Sequence, residues 1–166
     1  MSVAPGSRIF EADYPAEPQV VHQVRERVED FVCTCGLSAD ELDALKVALS
    51  EAFSNAVCHG SPLGPRNRVH LRCEADGQRL VVQVTDEGGG FLPTRIALPE
   101  FEEWKTSGRG LYIMQELMDA VDFEMVPGGT RVRLVKILPS VQPERAEAKG
   151  AAKLRAEKLR FAAVSG

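Results

Sequence analysis

The sequence predicts one α+β domain, a two-layer sandwich with helices on one face of a mostly antiparallel sheet. Strand-like runs come in neighbouring pairs joined by short turn sequences, and such hairpins build antiparallel sheets. The order strand, helix, helix, strand, strand, helix, strand, strand also contains few of the crossover units that parallel sheets need. A chain of 166 residues with 44% hydrophobic composition is long enough for one buried core and too short for two domains of usual size.

The first strand is predicted at residues 7–13. Pro15 and Pro18 then introduce a helix, and Gly36 ends it. Apolar residues recur at helical spacing along this segment: Val20, Val21, Val24, Val28, Phe31 and Val32.

The second helix is predicted to begin after Ser38. Glu41 follows three residues later, and this spacing is typical of a capping box, in which each residue satisfies a backbone N–H of the first turn. The helix is predicted to continue to Gly60. Its predicted buried face consists of Leu42, Leu45, Leu49, Phe53 and Ala56.

Two hairpins supply the rest of the predicted sheet. Residues 69–75 and 79–86 flank Asp76-Gly77, which is a strong hairpin signal. Residues 120–126 and 130–138 alternate as strands around a Pro-Gly-Gly turn. Together with the first strand, these runs predict a five-stranded sheet.

Between the two hairpins, the sequence predicts a loop and a short helix. Residues 92–107 contain two prolines, several charges and no sustained period, so they are predicted to form a mobile loop of the kind that often acts as a lid. Residues 111–118 return to a helical pattern.

The chain divides at position 138 into two predicted parts. Residues 1–138 form the predicted domain, and residues 139–166 are rich in Ala, Glu, Lys and Arg. This basic tail reads either as a solvated, partly disordered extension or as a partner-binding helix built on Leu154, Leu159 and Phe161.

The charge and hydropathy of the chain restrict its partners. The net charge is −4, and the first 138 residues contain no basic patch interleaved with aromatic residues, so direct nucleic-acid binding is not expected. No apolar run approaches the roughly 20 residues that span a bilayer, and the N-terminus carries no targeting pattern. We therefore expect a cytoplasmic protein that does not enter the membrane.

The four cysteines lack the spacing of a zinc site. Cys33 and Cys35 are separated by one residue, and no CxxC pair exists. Cys58 falls on a predicted helix and Cys73 on a predicted strand. Because unpaired cysteine is among the most buried residue types, all four are predicted to be free, buried thiols.

Glu51 and Asn55 are the first candidate site residues. They lie four residues apart on the second predicted helix, so the carboxylate and the amide share one face, which His59 continues. Small residues at the same spacing leave room for a ligand beside them: Ala44, Ala48 and Ala52. Taken alone, the pair also fits a solvated polar edge of a core helix.

These two side chains suit phosphoryl transfer. Mg²⁺ takes oxygen ligands and keeps several waters, so the amide oxygen of Asn55 and the phosphates of a nucleotide are sufficient to hold it. A carboxylate one turn away can orient or deprotonate an attacking hydroxyl, and we assign this general-base role to Glu51.

Two glycine clusters complete the predicted nucleotide site. Asp86 ends a strand and offers an acceptor for an exocyclic amine, while Gly88 and Gly90 let the backbone approach a flat ring such as adenine. Gly108 and Gly110 directly precede a helix, whose N-terminus favours phosphate. Arg109, between them, either supports the phosphates or faces water. Each cluster in isolation is also compatible with a flexible turn.

Three motifs occur in a fixed order: ExxxNAxxHG from Glu51 to Gly60, DxGxGF from Asp86 to Phe91, and SGxGL from Ser107 to Leu111. They resemble the N, G1 and G2 boxes of the GHKL ATPase superfamily. In a chain this short, and with a later Gly129-Thr130 pair, they are most similar to the anti-sigma-factor serine/threonine kinases. The resemblance covers residues 7–138.

The resemblance implies a Bergerat sandwich, whose sheet is mixed but mostly antiparallel, and binding of ATP and Mg²⁺. It implies Glu51 as catalytic base, Asn55 on magnesium and Asp86 on the adenine amine. The pocket would be shaped by Gly88, Gly90, Gly108 and Gly110, with Thr130 near the base. Lys105 stands where relatives often have a phosphate-contacting arginine, and a lysine lacks bidentate geometry.

The resemblance also implies the partners. Members of this group bind a sigma factor as a dimer and phosphorylate a serine or threonine on a small antagonist of the STAS type, which releases the sigma factor and so regulates transcription. The alternative is a nucleotide-gated binding protein that sequesters a partner without phosphorylating it. A sensor histidine kinase is not expected, because that class needs an upstream phosphoacceptor helix hairpin and His22 lies in Val-His-Gln-Val rather than in a His-Glu or His-Asp context. Chaperones and topoisomerases are not expected either, because they carry further domains for which 166 residues leave no room.

Overall fold

The computed structural model describes residues 7–89 and 109–139. The strands of the described ranges are β1 (Arg8–Pro15), β2 (Arg68–Ala75), β3 (Arg79–Thr85), β4 (Ala120–Val126) and β5 (Gly129–Ile137), and the helices are α1 (Val21–Val32), α2 (Ala39–Cys58) and α3 (Arg109–Leu117). The predicted lid at 92–107, the tail at 139–166 except its first residue, and the site residues Gly90, Lys105 and Gly108 lie outside the described residues.

The five strands form one sheet in the order β1-β2-β3-β5-β4. All four pairings between the described strands are antiparallel. The predicted α+β sandwich with a mostly antiparallel sheet is therefore confirmed. In the last hairpin, the second strand, β5, pairs with β3, and the first strand, β4, forms the edge of the sheet.

The hydrophobic core lies between one face of the sheet and the helices. Alternation along β2 buries every second residue, and β3, the middle strand of the five, buries three consecutive residues from Leu80 to Val82. On the helices, the buried residues recur at the predicted helical spacing. Fully buried members, with at most 1% of their surface exposed, include Val24, Val28, Leu45, Leu49, Phe53, Val69, Leu71, Leu80, Val82 and Leu134. None of the helices in the described ranges has the length and apolar character needed to cross a bilayer.

The observed boundaries differ from the predicted ones by a few residues. β1 continues through Pro15, which pairs with Arg68. Proline is tolerated there because β1 is an edge strand. The first helix ends at Val32 rather than at Gly36, and α3 begins two residues earlier than predicted, at Arg109.

The prediction that all four cysteines are buried is correct only for Cys73. All four are free, but Cys33 and Cys58 are exposed and Cys35 is half-buried. Cys33 directly follows α1 and Cys58 is the last residue of α2. Both therefore lie at a helix end, beyond the residues of that helix that are buried in the core. Cys73 is buried in β2, and burial raises its pKa to about 12, which keeps the thiol protonated and unreactive.

The capping box at the start of α2 is present as predicted. The Ser38 hydroxyl accepts a hydrogen bond from the Glu41 backbone N–H at 3.3 Å, and the Glu41 carboxylate accepts one from the Ser38 backbone N–H at 3.0 Å. Two N–H groups that an open helix end would leave without partners are thereby satisfied.

We expect Ser38→Ala to lower the free energy of unfolding by about 1 kcal/mol, because the N-cap acceptor is lost. Urea unfolding followed by circular dichroism measures this change. Ser54→Ala is the matched control, since Ser54 is exposed within the same helix and alanine is the better helix former. Equal effects of the two substitutions would contradict the capping role.

Candidate functional site

Helix α2 presents Glu51 and Asn55 together, one turn apart. Beneath them the helix is anchored by Ala48, Ala52 and Phe53, which have no exposed surface. Glu51 and Asn55 are themselves half-buried. Within the described part of the chain, neither side chain makes a hydrogen bond or an ion pair, so a carboxylate and an amide are held on one helix face and remain available.

The N-terminal end of α3 lies against the same two side chains. A Cβ built on Gly110 would lie 2.6 Å from Oε2 of Glu51 and 3.6 Å from Nδ2 of Asn55. A side chain at this position would therefore fill the space beside the carboxylate. Gly110 belongs to α3 rather than preceding the helix, so the helix itself packs against Glu51 and Asn55 at this point. Arg109, the first residue of α3, is exposed.

Asp86 directly follows β3 and is 8% exposed. Its Oδ1 accepts two hydrogen bonds, from the backbone N–H of Gly88 and from that of Thr130, each at 3.0 Å. The Asp86 backbone N–H donates in turn to the Thr130 carbonyl at 3.0 Å. Oδ2 accepts no hydrogen bond from any described residue, and it is the oxygen that remains for a ligand.

Burial raises the pKa of the Asp86 carboxyl, although the hydrogen bonds from Gly88 and Thr130 act in the opposite direction. Removal from water disfavours the charged form of a carboxyl group. The fold thus holds an acidic group where ionisation costs free energy, which is typical of a functional site.

Glycines surround the Asp86 carboxylate. A Cβ on Gly60 would lie less than 3.0 Å from Oδ2, and a Cβ on Gly129 would overlap the Asp86 carbonyl oxygen. A Cβ on Gly88 would overlap the carbonyl oxygen of Gly60. Sequence reasoning missed Gly60 and Gly129 as site residues. In the sequence, these two glycines could have been identified only from their positions beside predicted site residues, since Gly60 is the last residue of the first motif and Gly129 directly precedes Thr130.

The structure brings the described site residues together in two clusters. Glu51, Asn55 and Gly110 form the first; Asp86, Gly88 and Thr130 form the second. The last turn of α2 connects them, because the Asn55 carbonyl accepts hydrogen bonds from His59 and Gly60 at 2.9 and 3.2 Å. His59 itself is exposed, and it contacts neither cluster through a described side-chain hydrogen bond.

The donor set suits a nucleotide. Oδ2 of Asp86 is an acceptor beside glycine backbone, where a flat ring with an exocyclic amine can approach closely. The first turn of α3 suits an anion. Asn55 supplies an uncharged oxygen ligand, and Glu51 supplies a carboxylate at the same end. Fold and site together define a nucleotide-binding ATPase domain.

The chain belongs to the histidine kinase-like ATPase domain family, whose model matches residues 14–136. Members of this family bind ATP, and the site described above is consistent with that property. The match includes α1, α2 and α3, the strands β2, β3 and β4, and all of β5 except its last residue, but only the last two residues of β1.

Relatives with assigned functions match most of the chain. It is 32% identical over 137 residues to the serine-protein kinase RsbW of Bacillus subtilis, covering 78% of this chain and 85% of the relative. It is 30% identical over 122 residues to the anti-sigma F factor of Oceanobacillus iheyensis, covering 69% of this chain and 82% of the relative.

A solved structure shares the fold. The crystal structure of the RsbU and RsbW domains of a Mycobacterium tuberculosis protein superposes with a TM-score of 0.60 at 19% identity. The superposition covers 79% of this chain but 32% of the longer Mycobacterium chain. This likeness supports the architecture of the sheet and helices.

We expect Asp86→Asn to be at least as stable as the wild type near pH 7. The folded-state pKa of Asp86 is raised, so the protonated carboxyl favours folding at low pH and that contribution is lost as the pH rises through the folded pKa. Asparagine keeps the acceptor for the Gly88 and Thr130 N–H groups without the buried charge. The stability advantage of Asp86→Asn should therefore grow with pH and then become constant.

Urea unfolding of both proteins between about pH 4 and pH 8 measures this difference. Asp86→Ala is the contrasting variant, because it leaves two backbone N–H groups without an acceptor and should cost about 1–3 kcal/mol per group at every pH. A wild type that gains stability over Asp86→Asn as the pH rises would contradict the raised pKa.

Proposed function

We propose that this chain is an ATP-dependent serine/threonine-protein kinase that acts as an anti-sigma factor. It phosphorylates an anti-sigma-factor antagonist of the STAS type, and this phosphorylation sets a partner switch in the cytoplasm. The observation that carries the proposal is the Glu51 carboxylate, which lies unpaired among the described residues and beside Gly110. The serine-protein kinases and anti-sigma F factors that match this chain over most of its length support it.

Glu51 is the proposed general base. As the hydroxyl of a substrate serine or threonine attacks, its proton passes to the Glu51 carboxylate, and the resulting alkoxide character strengthens the nucleophile. The position of the carboxylate is fixed by the buried residues under it, Ala48, Ala52 and Phe53. Such positioning matters because phosphoryl transfer depends on alignment more than on covalent chemistry.

Asn55 is the proposed magnesium ligand. Mg-ATP, when bound, would supply the phosphoryl group, and the metal would neutralise negative charge on the phosphate oxygens. The Asn55 side-chain oxygen is an uncharged ligand of the kind that magnesium accepts alongside phosphates and water. Its place one turn from Glu51 puts metal binding and proton acceptance at the same end of the site.

The base end of the site is proposed to use Asp86, with Thr130 beside it. The glycines proposed to shape the pocket are Gly88, Gly90, Gly108 and Gly110. Lys105 and Arg109 are the proposed phosphate contacts. In this proposal, residues 1–138 act as the kinase domain, a homodimer binds the sigma factor, and residues 139–166 form a separate tail.

We expect Glu51→Gln to slow phosphoryl transfer by about 10²–10⁴-fold, since the amide keeps the shape of the side chain but cannot accept the proton. Affinity for ATP should stay close to that of the wild type. The assay measures transfer of labelled γ-phosphate from Mg-ATP to single-domain STAS proteins. Glu51→Ala should behave in the same way.

Two results would count against this mechanism. Unchanged transfer by Glu51→Gln would rule out Glu51 as the base. ATP binding by the wild type without transfer to any STAS protein, together with ATP-dependent partner affinity, would instead support the nucleotide-gated binding protein.

We expect Asn55→Ala to remove the effect of Mg²⁺ on ATP affinity. The wild type should bind ATP more tightly with Mg²⁺ than with EDTA, because Asn55 would hold the metal and the metal would supply positive charge to the phosphates. Asn55→Asp, which retains an oxygen ligand, is the matched control and should keep the difference. Titration calorimetry with and without Mg²⁺ measures it. A normal magnesium effect in Asn55→Ala would refute the ligand assignment.

A further inference from the structure

The two oxygens of the Asp86 carboxylate have different surroundings. Oδ1 accepts from the backbone N–H groups of Gly88 and Thr130, while Oδ2 accepts no hydrogen bond from a described residue. No buried side-chain nitrogen or oxygen in the described ranges lacks a partner, so Oδ2 is reached by solvent. One oxygen therefore holds the side chain in place, and the other is left to meet a ligand.

Gly60 lies directly against the free side of this carboxylate. A Cβ built on Gly60 would fall less than 3.0 Å from Oδ2, Cγ and Cβ of Asp86. The aspartate cannot move away easily, since Oδ1 accepts two hydrogen bonds and Gly129 packs closely against the Asp86 carbonyl group and Oδ1. Any side chain at position 60 must therefore turn the carboxylate or displace the end of α2.

We propose that Gly60 is a positioning residue for recognition of the nucleotide base. The absence of a side chain at Gly60 sets the position of Oδ2 of Asp86. Oδ2 alone then distinguishes a purine that bears an exocyclic amine from one that bears a carbonyl oxygen. This inference rests on the proposed function, in which Asp86 contacts adenine. Gly60 acts by positioning Asp86 and does not itself contact the base.

The arrangement predicts how an amide at position 86 would behave. The two N–H groups facing Oδ1 require an acceptor, so the carboxamide oxygen of Asp86→Asn must occupy the Oδ1 position. Its NH₂ group then replaces Oδ2 and presents a donor to the base. This donor repels the amine of adenine but donates a hydrogen bond to the carbonyl oxygen of hypoxanthine, so the base preference should reverse.

The test compares the affinities of ATP and inosine triphosphate, which carries a carbonyl oxygen in place of the adenine amine. We expect the wild type to prefer ATP and Gly60→Ala to lose about tenfold or more of that preference, the size of one hydrogen bond to a charged group. A purely structural defect would weaken both nucleotides equally and leave their ratio unchanged.

Gly64→Ala is the matched control. It is the same chemical change in the loop that follows α2, at a glycine whose φ of +56° strains any other residue, and nothing lies within 4 Å of its Cβ position. It should lower the melting temperature without altering the ATP to inosine triphosphate ratio. A ratio that changes equally in Gly60→Ala and Gly64→Ala would overturn the positioning role.

Amide hydrogen exchange tests the inference without any nucleotide. Gly60→Ala should accelerate exchange at the Gly88 and Thr130 amides, whereas Asp86→Asn should leave both protected while it reverses the base preference. Protection unchanged in Gly60→Ala would overturn the inference, whether or not the chain transfers phosphate. If Gly60→Ala does not fold, the base preference of Asp86→Asn becomes the test, and a preference that is not reversed refutes the proposal.

The proposed kinase activity can fail separately. If the base preferences and the amide protection are as expected but the wild type transfers no phosphate, only the proposed kinase activity is refuted.

Discussion

The site depends on the hydrogen bonds that tie Asp86 to the beginning of β5. Thr130 donates to the Asp86 side chain and accepts from its backbone N–H, so the end of β3 and the start of β5 are fixed to each other. This link continues the β3–β5 ladder, in which Thr85 pairs with Arg131. The pairing of β5 with β3 is therefore what gives Asp86 its fixed orientation.

The burial of the Asp86 carboxylate lowers the stability of the fold. A carboxylate that is 8% exposed loses most of its hydration, and the raised pKa shows that two backbone hydrogen bonds do not fully offset this loss. A fold under selection for stability alone would favour an uncharged acceptor here. The proposed contact with the adenine amine would account for the acid, because only a carboxylate offers an acceptor on both of its oxygens at once.

The sequence was sufficient to predict the elements whose signals are local. Helical periodicity, the Ser38 and Glu41 capping box and the Asp76-Gly77 turn each depend on neighbours within a few residues. The pairing of β5 with β3 and the contact between Gly60 and Asp86 join distant segments, and no local pattern encodes them. The exposure of Cys33 and Cys58 was missed for the same reason, since burial depends on where a helix end leaves the core.

Helix α2 sets the distance between the two ends of the site. Glu51 and Cys58 are about 10 Å apart along the axis, because an α-helix rises about 1.5 Å per residue. Beyond Cys58, the N–H groups of His59 and Gly60 bond back to the Asn55 carbonyl, so the chain turns directly onto Asp86. In the proposed function, α2 therefore carries the catalytic residues, and the chain directly after it contacts Asp86 through Gly60. A change at Gly60 is accordingly transmitted to Asp86 by direct contact, while Glu51 keeps its place on the buried side chains beneath it.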